Sequence, residues 1–148
     1  MNYQFILWLV PLACVLHAWE ERSGDWKGWT EKAFGLRLAS WDVFYATSGT
    51  LILAAMVGAL IGWRLPALAL TIPAVLVIHA LSLHVLPSLA QRRLAPGTVT
   101  AVLLYLPVTV WALYGAYLDG ALGPHVVVIS VLLGVLYSLR LETYVFTW

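Results

Sequence analysis

Residues 41–63 read WDVFYATSGTLILAAMVGALIGW, from Trp41 to Trp63, and after Asp42 they carry no charged residue. A helix rises about 1.5 Å per residue, and roughly 17–25 apolar residues cross the hydrocarbon core of a bilayer. This stretch therefore predicts a transmembrane helix. Helix is also the only open-chain geometry that satisfies backbone N–H and C=O groups without water. Gly58 and Gly62, in GALIG, have the small-xxx-small spacing that lets two such helices approach closely.

The pattern recurs on both sides. Further spans are predicted at about residues 3–19, 67–90, 98–118 and 125–144, separated by RLP, QRRLAPG and DGALGP turns. Proline and glycine at these joints are ordinary turn chemistry. The expected fold class is an all-α integral membrane bundle of five transmembrane helices, one domain over residues 1–148. Residues 20–40 form a cytoplasmic polar or interfacial segment. Within it Trp26, Trp29, Ala33 and Leu36 recur at helical spacing, which suits either an amphipathic helix on the membrane or a plain polar connector. Trp19, Trp29, Trp41, Trp63 and Trp148 fit interfacial belts. Trp8 and Trp111 fall deeper and are expected to pack between helices.

Composition agrees with a bilayer as solvent. The chain is 62% hydrophobic and 10% charged, against about 25% charged in soluble domains. A formal net charge of +1 argues against a nucleic-acid footprint. Cys14 is the single cysteine, so no internal disulfide forms. The N-terminal apolar run lacks a positive n-region and is not expected to be a cleaved signal. Without an internal repeat, an alternating-access transporter is disfavoured.

Five alternating spans sort the polar residues into two sets. His17, Glu20, Glu21, Asp42, His84 and Glu142 fall at one end, with Arg22, Lys27, Lys32, Arg37, Arg92, Arg93 and Arg140. The other end receives Arg64, Asp119 and His125. The positive-inside rule assigns the basic end to the cytoplasm and the N-terminus to the outside, with a bacterial inner membrane as the expected location. His17, Glu20 and Glu21 share a helix face by i, i+3, i+4 spacing. Ionisable groups at membrane depth are costly and usually face an interior site. His79 lies about 7 Å deeper than His84 by helical rise. Five residues apart on an α-helix, the two do not share a face unless Pro87 distorts it, so His79 is assigned an interior hydrogen bond or a second-layer role.

HAWEE, His17 to Glu21, resembles the defining motif of the HXXEE family of small integral membrane proteins. A second block, HVLPSLAQRRLAPGTVTAVLLYLP from His84 to Pro107, is similar to the family's later pattern of histidine, basic pair, Pro-Gly, threonine and a proline-bearing helix. The two blocks cover roughly a fifth of the chain. Leu94 departs from the aromatic residue common two positions before the Pro-Gly pair. The resemblance implies metal binding, carried onto His17, Glu20, Glu21 and His84.

With those residues the expected site is a divalent metal, zinc or iron, held by His17, Glu20 and His84. Glu21 is the expected catalytic general base, and Glu142, Asp42 and His79 are supporting residues or further ligands. Three protein ligands leave a position open for water, which predicts a hydrolase acting on a lipid or membrane-embedded substrate at the cytoplasmic face. The alternative is a non-catalytic small subunit of a larger membrane complex, its cluster structural or pigment-binding. Membrane lipids are the expected partners, with a membrane complex or homo-oligomer also compatible.

Overall fold

The computed structural model describes residues 2–35, 37–38 and 40–147, with side chains described for residues 2–35 and 40–140. Six helices follow in chain order among them. Helix α1 (Tyr3–Ser23) opens as a tighter 3₁₀ turn over Tyr3–Trp8 and continues as α-helix from Leu9. The short α2 (Trp26–Phe34) lies beyond it. Then come α3 (Trp41–Arg64), α4 (Pro66–Gln91), α5 (Thr98–Leu118) and α6 (Pro124–Val145). A two-residue antiparallel ladder pairs β1 (Arg37–Leu38) with β2 (Phe146–Thr147). The class is all-helical.

Four of these helices, α1, α3, α4 and α5, are long and apolar enough to cross a membrane, where the sequence predicts five. Among the residues with described side chains the fifth, α6, offers the apolar stretch Pro124–Arg140, within a helix that continues to Val145. In the other direction, α1 does not stop at Trp19. It runs through Glu20 and Glu21 to Ser23, so the whole HAWEE stretch keeps helical spacing.

Small residues let the helices close on one another. Ala55, Ala59, Ala80, Ala101, Ala112 and Ala116 are almost fully buried. At Gly58 a Cβ would stand 3.4 Å from the Ala69 carbonyl, so the GALIG stretch does mark a close approach of α3 to α4. Large apolar side chains instead cover the outside, among them Leu53, Leu60, Leu103, Val110 and Leu136, each more than 60% exposed. An apolar exterior of this extent is foreign to a protein surrounded by water. Trp8 and Trp111 belong to that exterior, each 46% exposed, rather than lying between helices as predicted. Phe5 shields one edge of Trp111, the rings meeting edge-on at 6.4 Å.

Prolines shape the two helices that carry the site. Proline has no N–H and crowds the carbonyl four residues earlier, so a helix must widen or kink ahead of it. In α4 a π-helical segment, Ala80–Val85, stands immediately before Leu86-Pro87. In α5 another, Ala101–Tyr105, stands immediately before Leu106-Pro107. The two widened segments pack against each other. The opposite end of the bundle is tied by Asp119, whose Oδ2 accepts from the Tyr3 backbone N–H at 2.6 Å and from Trp63 Nε1 at 2.8 Å.

Candidate metal centre

The α1 register aims His17 and Glu21, one turn apart, at the same point. The π turn in α4 aims His79 and His84 there as well. Its i→i+5 bonding sets residues five apart one above the other, whereas an α-helix would turn them to different sides. His79, read from the sequence as a second-layer residue or a further ligand, therefore joins the cluster. The signal was the proline two residues past the segment, but the α-helical period hides its consequence.

The four groups meet closely. His17 Nε2 is 3.2 Å from His79 Nε2 and 3.1 Å from His84 Nε2, and the last two are 3.2 Å apart. Glu21 Oε1 caps this triangle at 3.6, 3.7 and 3.3 Å from His17, His79 and His84. All four could hold a metal ion. The dimensions fit one: a regular tetrahedron with arms of about 2.0–2.1 Å, the zinc–nitrogen distance, has edges of roughly 3.3–3.4 Å. The six edges here, 3.1–3.7 Å, straddle that value.

Hydrogen bonding alone does not account for the arrangement. Glu20 Oε2 accepts from the Thr100 hydroxyl at 2.5 Å, so Thr100 Oγ1 in turn accepts from His17 Nδ1–H at 2.8 Å. That tautomer leaves a lone pair on His17 Nε2, directed at the other two rings. With one in-plane position per nitrogen, at most two of the three N···N contacts can be hydrogen bonds between neutral rings. Glu21 Oε1 is buried and has no hydrogen-bond partner among the described residues. Burying a carboxylate without compensation costs several kcal/mol. A cation at the centre would satisfy every one of these atoms, so the residues present fit a metal.

The surroundings hold the cluster in place. Glu20 does not point into it. Its oxygens accept from the backbone N–H groups of Val99 at 3.2 Å and Thr100 at 2.7 Å, at the start of α5, where a carboxylate suits the helix dipole. Through Thr100 it also orients His17, the relation usual between a ligating histidine and its outer partners. Tyr105 stacks on His17 with ring centres 4.3 Å apart. Trp26, expected at the membrane interface, is instead 2% exposed and covers the cluster from α2, 6.1 Å from the His84 ring.

The loop between α4 and α5 closes the last side. Ser88 Oγ bonds Thr98 Oγ1 and accepts the Ala95 N–H, both at 2.9 Å, folding the RRLAPG turn back onto the helices. Gly97, at φ +92°, then lies directly on the site. A Cβ there would come within 2.6 Å of His84 Cε1 and 2.9 Å of Glu21 Cγ. The other sequence candidates stand elsewhere. Asp42 is exposed in the first turn of α3, beside the Ser40 cap. The side chain of Glu142 lies outside the described residues. His125 begins α6 at the far end, and Cys14 is buried on the α1 face without joining the ligand set.

A cavity of about 50 Å³ adjoins the cluster. His17, Glu21 and His79 belong to its polar wall, and Phe44, Leu51 and Val75 to its apolar one.

The family described as "Protein of unknown function with HXXEE motif" matches residues 8–112. That interval contains the four clustered side chains together with Glu20, Gly97 and Thr100. No curated protein and no solved structure matches the chain.

Proposed function

The chain belongs to the HXXEE-motif family, and from the geometry of its motif we propose that the protein is an intramembrane metalloenzyme of hydrolytic type, cutting an ester or amide of a lipid or other membrane-embedded substrate. The observation that carries this reading is the meeting of a zinc-sized His₃Glu tetrahedron with a cavity on the same side chains. His17, His79, His84 and Glu21 would hold the ion, with zinc or iron(II) suited to imidazole and carboxylate together. When bound, the ion supplies Lewis acidity, polarising a carbonyl and making water acidic near neutral pH.

The chain's own residues supply the rest. Glu21 Oε1 is the outlying corner of the tetrahedron, farther from each nitrogen than the nitrogens are from one another. Swung aside, it leaves three histidines and an open position, the usual catalytic arrangement. Its carboxylate then takes a proton from water as the oxygen adds to the substrate carbonyl, and returns it to the departing alcohol or amine. Glu20 and Thr100 keep the His17 tautomer unchanged throughout. Trp26 and Gly97 exclude bulk water from the other faces.

A second reading rests on the same four ligands. A tetrahedron completed by protein groups is the pattern of structural zinc, which suits a non-catalytic subunit of a membrane complex. Five spanning helices, α6 among them, and a cytoplasmic metal end are the topology we favour from the charge distribution in either case. The test is elemental analysis of purified protein followed by lipid mass spectrometry. The enzyme reading expects one ion per chain, lost in His79→Ala, and product formation that stops in Glu21→Gln. Full metal content with no hydrolysed lipid in any preparation would favour the structural site, and no metal in the wild type would end both.

A further inference from the structure

The cavity beside the cluster is lined by hydroxyl side chains that the metal chemistry does not use, those of Thr47, Ser48 and Ser138. Ser138, on α6, lines it, is 8% exposed, and its hydroxyl has no hydrogen-bond partner among the described residues. A serine in a helix commonly returns its proton to the carbonyl a turn earlier, as Ser130 does to Val126 at 2.7 Å. Ser138 does not.

Its level in the bundle follows from α4. Ser130 also bonds the Ala67 carbonyl at 3.0 Å, and a Cβ on Gly134 would meet Ala74 at 3.1 Å. The two helices therefore run in the same direction, with Gly134 beside Ala74 and Val75. One turn farther on each brings Ser138 to the level of His79. The free hydroxyl thus faces the cavity at the depth of the cluster, with Phe44, Leu51 and Val75 on the apolar walls.

We propose that this cavity is the substrate subsite of the centre, admitting the carbonyl end of an aliphatic acyl chain, with the Ser138 hydroxyl donating to the carbonyl oxygen. The inference rests on the hydrolytic reading for its reaction but not for its binding. A buried hydroxyl without a partner is destabilising, and an acyl carbonyl removes that cost without adding a charge. At about 10–15 Å³ for each water-sized group, 50 Å³ admits the carbonyl and two or three methylenes. The rest of the chain then extends outside the cavity. Ser138 is a positioning residue: it sets which bond of the chain lies beside the ion.

The experiment uses two photoreactive probes in nanodiscs, a fatty amide with a diazirine on its second or third methylene and a matched alkyl diazirine without the carbonyl. Labelled residues are read by peptide mapping, and zinc content is measured on the same samples. The wild type should label at Phe44, Leu51 or Val75, with the amide preferred several-fold. Ser138→Ala should keep both labels and lose the preference, and Ser138→Thr should restore it. Val75→Phe and Leu51→Trp, each filling the cavity, should abolish labelling while a zinc content equal to wild type certifies the fold. Labelling that survives removal of zinc supports the subsite even if the hydrolytic reading fails. Metal-loaded wild type with no label at these residues, or an amide preference unmoved by Ser138→Ala, overturns the subsite and leaves the metal centre standing.

Discussion

Gly97→Ala is the sharpest single perturbation of the proposed centre. Its cost has two separable parts. The residue sits at φ +92°, where a side chain is strained by about 1–2 kcal/mol. The new methyl would also stand 2.6 Å from His84 Cε1 and 2.9 Å from both His84 Nδ1 and Glu21 Cγ. Ordinary carbon contacts begin near 3.4 Å, so His84 and Glu21 must retreat by roughly 0.5–0.8 Å. Metal–ligand distances tolerate about 0.2 Å. Two of four ligands are displaced beyond that, and a loss of about 10- to 100-fold in affinity, roughly 1.4–2.8 kcal/mol, is expected. Gly120→Ala separates the parts: φ there is +68°, yet nothing lies within 4 Å of the added carbon. Competition titration against a zinc-binding dye gives affinity, and thermal unfolding in detergent gives stability. Both variants should lose stability from backbone strain, and Gly97→Ala alone should lose zinc affinity. Equal zinc affinity in the two variants would refute the placement of Gly97 against the ligands.

Thr100→Val keeps the shape of the side chain but cuts the link from Glu20 to His17; zinc affinity should fall about 10-fold or more by the same titration. Glu20→Gln should retain one ion per chain, whereas His79→Ala should lose it, and elemental analysis inverting that order would reject the ligand set. Acid should weaken metal binding, because protons compete for the same nitrogens and only neutral imidazole ligates; the dye titration repeated at stepped pH should show affinity falling as pH falls, and an affinity independent of pH would count against histidine ligation. Reporter fusions after Glu31 and Gln91 should both read cytoplasmic, and an external signal from either breaks the proposed orientation.

Much of the architecture was legible in one dimension because a bilayer imposes a length and a composition on every segment that crosses it. The spans at 41–63, 67–90 and 98–118 lie close to α3, α4 and α5. Alternation of direction was enough to bring His17 and His84 to one end, and helical period to keep Glu21 on the face of His17. The tertiary structure decided which atoms meet. Period 3.6 turns His79 away from His84, and only the π segment ahead of Pro87 brings their nitrogens to 3.2 Å. The two adjacent glutamates were equivalent as letters. They separated only when α5 offered its first N–H groups and Thr100 to Glu20, while Glu21 faced three imidazoles. Gly97 read as part of a turn, and its contact with the site exists only because Ser88 and Thr98 fold that turn inward. Composition and period are local averages that survive in a string of letters. A tetrahedron about 3 Å on edge depends on helix distortions and side-chain contacts between segments more than sixty residues apart.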